Sequence, residues 1–172
     1  MNHSRTTLVL GSLAVAAMAG SALAAKRLVI AEEFTATWCT YCPSVAEALD
    51  QLQGDRPNDI VGMLIHCGDS YTTSWGNQRE NFYNVSGYPS VWMDGWSSMA
   101  GSYGSVPANY GQLNSRLNSC LNISTDVSIE LLGEELSASQ YQISGTIGIE
   151  AGGSGKTMRV QLLQCFDQET YP

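Results

Sequence analysis

The spacing of apolar residues divides the chain into two parts with different periodicity. In the first part, continuous apolar runs begin near Leu28 and Ile60, which is typical of strands covered on both faces of a parallel sheet. Between them a helix is predicted from Pro43 to a stop at Gly54, with an apolar face made of Val45, Ala48, Leu49 and Leu52. A strand, a helix and a strand in this order predict a right-handed crossover with parallel pairing.

Shorter segments continue this alternation of helices and strands. A helix is predicted from Ser74, which can cap it, and one side of this helix carries Trp75, Arg79 and Phe82. The stretch "VSGYPSVWMDG" predicts a turn and a third strand, and its final "DG" predicts a hairpin to a fourth strand. Pro107 then opens a helix whose apolar stripe is Tyr110, Leu113, Leu117 and Leu121. The predicted order of elements is therefore β-α-β-α-β-β-α.

The second part of the chain, residues 124–172, alternates apolar and polar residues instead. Three segments show this pattern: Val127, Ile129 and Leu131; Tyr141, Ile143, Ile147 and Ile149; and Met158, Val160 and Leu162. A period of two predicts half-buried strands of an antiparallel sheet with one wet face. Because three such strands cannot bury their apolar face alone, we expect a β extension that forms the first part of a β-sandwich.

The first 24 residues have the pattern of a secretory signal peptide. Arg5 supplies the positive start, "LVLGSLAVAAMAG" is a short apolar core, and cleavage is predicted after Ala24. That core is below the roughly 18–20 residues that a membrane span needs, and no other stretch approaches this length. We therefore expect export, with no transmembrane span in the mature chain.

Charge and cysteine content narrow the class of protein further. Without Arg5, seven Lys and Arg stand against sixteen Asp and Glu, a net charge of −9. Such a chain attracts neither nucleic acid nor an anionic membrane surface. An exported protein meets an oxidising compartment in which cysteine pairs tend to form disulfides. The five cysteines are an odd number, so at least one is unpaired within the chain.

The stretch "FTATWCTYCP" carries the candidate chemistry. Cys39 and Cys42 lie where a predicted strand meets a predicted helix, and this places Cys39 in the first helical turn. Free backbone N–H groups and the helix dipole there lower the pKa of a thiol. The resulting thiolate can attack a disulfide, and a second thiol one turn later can resolve the mixed disulfide.

A zinc site and a structural disulfide are two other roles that these cysteines could have. Zinc would need Cys39, Cys42, His66 and Cys67 as ligands, but adjacent strand residues point to opposite faces. His66 and Cys67 are therefore better explained as a surface histidine and a buried thiol. A structural Cys39–Cys42 disulfide is the stronger alternative, although so tight a loop gains little entropy on closure. The pairing of Cys120 and Cys165 stays open.

The motifs together resemble the thioredoxin-like superfamily. The similarity covers residues 26–121 and includes "WCTYCP", the preceding strand, the order of elements and "GYPS" at residues 87–90. It implies an α/β fold with a central mixed sheet flanked by helices, here in a domain of residues 25–123. The signal sequence and the β-rich tail most resemble exported bacterial members related to outer-membrane proteins, in the periplasm or cell envelope and associated with the outer membrane.

This resemblance implies roles for individual residues. Cys39 would attack, Cys42 would resolve, and Glu33 would be a buried carboxylate that carries the proton of Cys42. A cis peptide bond at Tyr88-Pro89 would face the cysteines and, with Trp38, bind an extended substrate. Glu32 and Glu33 are strand neighbours, so we expect one to be buried and the other to stay wet.

The expected function is an exported thiol–disulfide oxidoreductase that acts on protein or peptide thiols and disulfides, with an unidentified redox partner. Neither an organic cofactor nor a metal is expected. The dipeptide Thr40-Tyr41 between the cysteines is neither Gly-Pro nor Pro-His, which leaves the direction of electron flow open. The alternative is a redox-inert binding or assembly module of the cell envelope, with the β tail as its contact surface.

Overall fold

The computed structural model describes residues 27–137, 140–149, 159–163 and 165. The predicted signal peptide lies outside these residues, as does Met158 of the third predicted tail strand. In chain order the elements are β1 (Val29–Thr35), α1 (Cys42–Asp55), β2 (Ile60–His66), α2 (Ser74–Tyr83), β3 (Ser90–Met93), β4 (Ser97–Ala100), α3 (Val106–Leu121), β5 (Val127–Ser137) and β6 (Gln140–Ile149). The predicted order from β1 to α3 is confirmed.

The first four strands form one mixed sheet in the order β2-β1-β3-β4. β1 and β2 run parallel and bring Thr35 beside His66. β3 is antiparallel to both of its neighbours, so Ser90 lies between Phe34 and Ala100. The loops that adjoin these positions consequently meet at one edge of the sheet, which we call the site edge; the four loops are residues 36–41, 67–73, 84–89 and 101–105.

The turn between β3 and β4 lies at the opposite end of the sheet from the site edge. Asp94 and Gly95 both have positive φ, at 49° and 74°, as a tight hairpin turn with the sequence Asp-Gly requires. The Asp94 carboxylate also accepts a hydrogen bond of 2.9 Å from the backbone N–H of Ile30 and pairs with Arg27 at 2.7 Å. The predicted hairpin is therefore confirmed, and its turn is fastened to β1.

Helices cover both faces of this sheet. One face carries the larger core, in which α1 and α3 contribute side chains that include Val45, Leu49, Leu52, Leu113, Leu117 and Cys120. The opposite face carries a smaller core around Phe34, Ile65, Cys67 and Tyr83, the last of these from α2. Because successive side chains of a strand alternate between faces, neighbouring residues of β1 contribute to different cores.

Two predicted helix ends differ from those observed. α2 is capped by Thr73, whose Oγ1 accepts a hydrogen bond of 2.9 Å from the N–H of Gly76, so Ser74 is the first helical residue and not the cap. α1 continues past Gly54 to Asp55. A glycine weakens a helix but ends it only when the backbone leaves the helical conformation there.

The tail forms a two-stranded antiparallel sheet in which Val127 pairs with Ile149 and Ile129 with Ile147. One face of this hairpin is apolar, as the alternating pattern predicted. The prediction of half-buried strands is wrong for the described residues, because Ile129 and Leu131 are 63% and 64% exposed. Residues 159–163 are not in a strand, so the third predicted strand is not observed there.

Within the described part of the chain, no helix is long and apolar enough to cross a membrane.

Deletion of residues 125–172 tests whether the first part folds independently. Both hydrophobic cores consist entirely of residues from the first part of the chain. We therefore expect the truncated protein to unfold cooperatively on heating, as small single domains do, when circular dichroism is followed at 222 nm. Loss of the cooperative transition would show that the tail contributes to the core.

Candidate redox site

Cys39 and Cys42 form a disulfide at the site edge, with a sulfur–sulfur distance of 2.01 Å and Cα atoms 5.5 Å apart. Cys42 is the first residue of α1, and Pro43 follows it where the missing N–H costs no helical hydrogen bond. Cys39 lies in the preceding loop, and its carbonyl accepts a hydrogen bond of 3.4 Å from the N–H of Cys42. The prediction that Cys39 occupies the first helical turn is therefore wrong by three residues, since the helix starts at the second cysteine.

The two cysteines differ modestly in exposure. Cys39 is 7% exposed and Cys42 is 2% exposed. Together with Ala36 they form a small buried cluster, against which the ring of Tyr88 packs. Cys39 is therefore the slightly more exposed residue of the pair, while Cys42 begins the helix.

Asp69 fastens the loop before Cys39 to the loop after β2. Its carboxylate accepts hydrogen bonds of 2.7 Å from the N–H of Thr37 and 2.9 Å from the N–H of Tyr71. His66 Nδ1 lies 2.6 Å from the same carboxylate. Burial alone would raise the pKa of Asp69, but the hydrogen bonds from His66, Thr37 and Tyr71 lower it below its usual value. The residue was missed in the sequence because its partners come from two separate loops.

The structure separates His66 from Cys67, as expected for neighbours on a strand. Cys67 is fully buried, as predicted. The prediction of a surface histidine is wrong, because the His66 side chain is only 11% exposed and is paired with Asp69. The pKa of the Cys67 thiol is raised to about 11, mainly by burial and secondly by the negative charge of Glu80. A thiol with so high a pKa is a poor nucleophile at neutral pH. Within the described residues, no three potential ligands are grouped closely enough to hold a metal ion, and the zinc hypothesis gains no geometric support.

The two remaining cysteines differ in burial. Cys120 is buried in the larger core, and the described Cys165 is exposed; both are free, as is Cys67. A disulfide between Cys120 and Cys165, which the sequence left open, is therefore not present.

The Tyr88-Pro89 peptide bond is cis, as the resemblance implied. The Tyr88 ring lies 5.7 Å from the ring of Trp38, and its hydroxyl donates to the carboxylate of Glu80 on α2. Trp38 is 64% exposed, although its indole N–H donates a 3.0 Å hydrogen bond to the carbonyl of Gly68. Two aromatic rings therefore stand beside the disulfide, and each is held by a hydrogen bond from its polar atom.

Glu33 is fully buried, and within the part of the chain that the structure describes neither of its carboxylate oxygens has a hydrogen-bond partner. It lies on the face of β1 that α1 covers, because it alternates in step with Val29 and Ala31 of the larger core. Burial raises the pKa of its carboxyl from 4.5 to about 8, since charging it in an apolar environment is costly. At neutral pH this site therefore holds a neutral carboxylic acid.

Glu32 is also buried. The expectation that one of Glu32 and Glu33 stays exposed to solvent is therefore wrong. Its carboxylate pairs with the guanidinium of Arg79 through two hydrogen bonds of 2.8 and 2.7 Å, and it also accepts a hydrogen bond from the hydroxyl of Tyr83. Two-pronged pairing of this kind compensates the cost of burying a charge. Arg79 was noted in the sequence only as part of a helix face, because the pattern did not reveal its distant partner.

Asn109 joins the start of α1 to the loop after β4. Its side-chain N–H₂ donates to the carbonyl of Ser44 at 3.2 Å, and its side-chain oxygen accepts from the N–H of Tyr103 at 2.7 Å. Asn109 is fully buried and shares the inner face of α3 with Leu113 and Leu117. A polar residue at this helical spacing was the available signal, but the sequence prediction assigned Tyr110 to the stripe instead.

Comparison with known proteins identifies the architecture. No family model matches the sequence, and no curated protein matches it. Among solved structures, HBP35 of Porphyromonas gingivalis has a TM-score of 0.57 and 20% identity over 77% of this chain and 46% of that chain. The thioredoxin of Fasciola hepatica has a TM-score of 0.42 and 19% identity, over 54% of this chain and 80% of that one.

The similarity to HBP35 and the observed strand order together confirm a thioredoxin-like fold. The chain spans less than half the length of the HBP35 structure. At this level of identity the comparison describes the fold alone.

Glu33→Gln tests the buried carboxylic acid through the pH dependence of stability. Between pH 4.5 and about 8 the folded protein retains a proton that the unfolded chain releases. The free energy of unfolding therefore falls as pH rises in this window, by up to about 1.4 kcal/mol per pH unit. We expect urea denaturation to show the variant gaining stability relative to the wild type as pH rises. If the free energies of unfolding of the two proteins changed in parallel with pH, the raised pKa of Glu33 would be contradicted. Glu47→Gln is the control, because it removes an exposed carboxylate from α1.

Arg79→Met tests the buried ion pair. The substitution leaves the carboxylate of Glu32, 5% exposed in its side chain, without its charged partner. Such a loss costs about 3–5 kcal/mol, and we expect a second substitution, Glu32→Gln, to restore part of it. Chemical denaturation of the three proteins measures both effects. A loss below about 1 kcal/mol, the size found for exposed pairs, would show that the pair contributes little.

Proposed function

We propose that this chain, which has a thioredoxin-like fold, is an exported thiol–disulfide oxidoreductase that acts on protein or peptide substrates. The observation that carries the proposal is the Cys39–Cys42 disulfide, placed at the start of α1 and at the edge of the sheet where the cis Tyr88-Pro89 bond lies. A disulfide that closes so short a loop adds little to stability, whereas the same spacing suits reversible exchange.

The proposed reaction transfers two electrons between the cysteine pair and a substrate. In the reducing direction, the Cys39 thiolate attacks one sulfur of a substrate disulfide and releases the other as a thiolate. The Cys42 thiolate then attacks the sulfur of Cys39, which re-forms the Cys39–Cys42 disulfide and releases the second substrate thiolate. The reverse sequence oxidises a substrate dithiol.

Cys39 takes the attacking role because its sulfur belongs to the more exposed of the two residues. It also lies just before α1, where the helix dipole and free N–H groups favour a negative charge. Cys42 is the resolving residue, since the helix shields it from a large substrate.

Glu33 is the proposed proton carrier for this second step. The resolving thiol must lose a proton when the mixed disulfide is resolved, and it must regain one when the pair is reduced. A buried carboxyl with a pKa near 8 changes its protonation state close to neutral pH. Glu33 lies on the face of β1 that α1 covers, and Cys42 is the first residue of α1.

Trp38, Tyr88 and Pro89 form the proposed binding site for an extended substrate, in which Trp38 is exposed, Tyr88 is half-buried and Pro89 is buried beneath them. The Tyr88 ring packs against the cysteine cluster, and the carbonyl of Pro89 accepts a hydrogen bond of 2.8 Å from the N–H of Gly101. These contacts support a rigid surface next to the reactive sulfur, and rigidity lowers the entropy cost of binding.

The proposed location is the periplasm or cell envelope, with association with the outer membrane. Support comes from the signal-like pattern of residues 1–24 and from the tendency of disulfide chemistry to operate in oxidising compartments. The redox partner is unidentified, and the proposed exchange needs neither a metal nor an organic cofactor.

Alkylation and trapping test the proposal most directly at the residue level. The experiment uses the Cys165→Ser variant, because Cys165 is the exposed free cysteine and would also be alkylated. In this reduced protein we expect iodoacetamide to modify Cys39 well before Cys42. A thiol next to a helix N-terminus has a pKa of roughly 3.5–7.5, compared with about 8.5 for an unperturbed cysteine. Mass spectrometry of quenched samples gives the two rates.

Substitution of each cysteine then separates the two steps. Cys42→Ser should accumulate mixed disulfides with a substrate, because no resolving thiol remains, whereas Cys39→Ser should form few. Glu33→Gln should slow resolution more than the first attack. Equal alkylation rates together with no trapped adducts would instead favour the redox-inert binding module, which keeps the fold and uses the exposed tail as its contact surface.

A further inference from the structure

Asn109 is a fully buried polar residue on the inner face of α3. Burying an amide is costly unless its donors and its acceptor have partners. The side-chain nitrogen donates to the carbonyl of Ser44 at 3.2 Å and lies 3.1 Å from the hydroxyl oxygens of Ser44 and Ser102. The side-chain oxygen accepts from the N–H of Tyr103 at 2.7 Å. These partners belong to the start of α1 and to one loop of the site edge, so the amide acts on the surroundings of the disulfide.

These hydrogen bonds extend to the short segment between the two cysteines. The hydroxyl of Ser44 donates a 3.0 Å hydrogen bond to the carbonyl of Tyr41, and Tyr41 immediately precedes Cys42. A serine hydroxyl has a single proton. When that proton is donated to Tyr41, the hydroxyl oxygen accepts from the amide of Asn109. A side chain on α3 therefore acts on the backbone of the disulfide loop through one intervening hydroxyl group.

We infer that Asn109 is a positioning residue that stabilises the Cys39–Cys42 disulfide relative to the dithiol. It does so by holding Ser44, and through Ser44 the carbonyl of Tyr41, in the arrangement that the closed loop has. This role rests on the proposed exchange activity and specifies a residue, distant in sequence from the cysteines, that sets the equilibrium of the exchange.

The direction of the effect follows from the entropy of loop closure. Reduction breaks the bond between the two sulfur atoms and allows the backbone of residues 39–42 more conformations, whose loss opposes re-closure. Hydrogen bonds that hold this segment in both redox forms reduce that freedom in the dithiol. Each thiol then stays close to the other, and its effective concentration is high. The disulfide is therefore favoured while the hydrogen bonds from Asn109 and Ser44 are intact.

A purely structural role for Asn109 would have a different consequence. Asn109 also fastens α3 to α1 through Ser44, and loss of that contact alone would lower the free energy of unfolding of the oxidised and the reduced protein equally. A substitution shifts the thiol–disulfide equilibrium only by the difference between its effects on these two stabilities, because the two equilibria are linked. Only a contact that distinguishes the two redox forms changes that equilibrium.

The test is the equilibrium of the full chain with glutathione. The protein dithiol gives two electrons and two protons to glutathione disulfide, which becomes two molecules of glutathione, and the Cys39–Cys42 disulfide forms. Every protein carries Cys165→Ser, so that the exposed free thiol does not form a mixed disulfide of its own. The reduced fraction is measured by mass spectrometry after acid quenching and alkylation, at several ratios of glutathione to glutathione disulfide.

Ser44→Ala removes the hydroxyl group between Asn109 and Tyr41 and introduces a residue that favours helix. We expect the equilibrium constant for disulfide formation to fall about threefold in Ser44→Ala, the effect of one hydrogen bond. In Asn109→Ala we expect a fall of about tenfold, which raises the reduction potential by about 30 mV. Urea denaturation should show that each substitution destabilises the oxidised form more than the reduced form. An equilibrium constant that is unchanged or larger in Ser44→Ala would overturn the inference, whether or not Asn109→Ala folds.

Asn114→Ala is the matched control. Asn114 lies on the same helix, and its side-chain oxygen accepts a 2.7 Å hydrogen bond from Arg56, which follows α1 at the end away from the cysteines. The substitution therefore removes an asparagine contact at the far end of α1. We expect it to leave the glutathione equilibrium unchanged. A shift as large as that of Asn109→Ala would show that any loss of contact with α3 has this effect, and would contradict a specific role for Asn109.

The protein with only Cys165→Ser separates failure of this role from failure of the proposed function. If its Cys39–Cys42 pair does not interconvert between disulfide and dithiol in glutathione or dithiothreitol buffers, the proposed exchange activity fails, and the positioning role fails with it. If the pair interconverts and Ser44→Ala has the same equilibrium constant, only the positioning role of Asn109 fails.

Discussion

The pairing of β1 with β2 on one side and with β3 on the other is the constraint on which the rest of the structure depends. The parallel register places the loop after Thr35 beside the loop after His66, and the antiparallel register brings Ser90 to the same edge. The disulfide, the cis peptide bond and the exposed aromatic side chains meet only because these registers hold. The alternation of side chains along β1 also assigns Glu33 to the face under α1 and Glu32 to the opposite face under α2.

These two glutamates show how different environments give one residue type two roles. Glu32 is buried but remains paired with Arg79, so it fastens α2 to the sheet. Glu33 is buried without a hydrogen-bond partner among the described residues, and its raised pKa leaves it able to exchange a proton near neutral pH. The first arrangement stabilises the fold at a helix–sheet contact. The second reduces stability as pH rises, and in the proposed exchange this carboxyl is the proton carrier for Cys42.

The sequence predicted the element order and the hairpin turn, because these depend on local periodicity and on short motifs. The cis Tyr88-Pro89 bond was implied by the family resemblance, whereas Cys39 lies before α1 and not in its first turn. The sequence did not predict features that depend on contacts between distant segments. Asp69 and Asn109 act through loops that only the folded sheet brings together. The burial of Glu32 likewise required a partner on another element. In the tail, alternation correctly predicted strands with one apolar face, but periodicity cannot show whether anything covers that face; in the described residues Leu131 is exposed.

In the proposed function the Cys39–Cys42 bond is the reagent for exchange, and the reduction potential of this bond tests the proposal most directly. The full chain would be equilibrated with dithiothreitol and glutathione buffers of defined potential, and the reduced fraction measured by mass spectrometry after thiol trapping. We expect a reversible two-electron couple between about −270 and −120 mV, the range of disulfide-exchange proteins. A potential below about −300 mV, typical of structural disulfides in secreted proteins, would contradict the account.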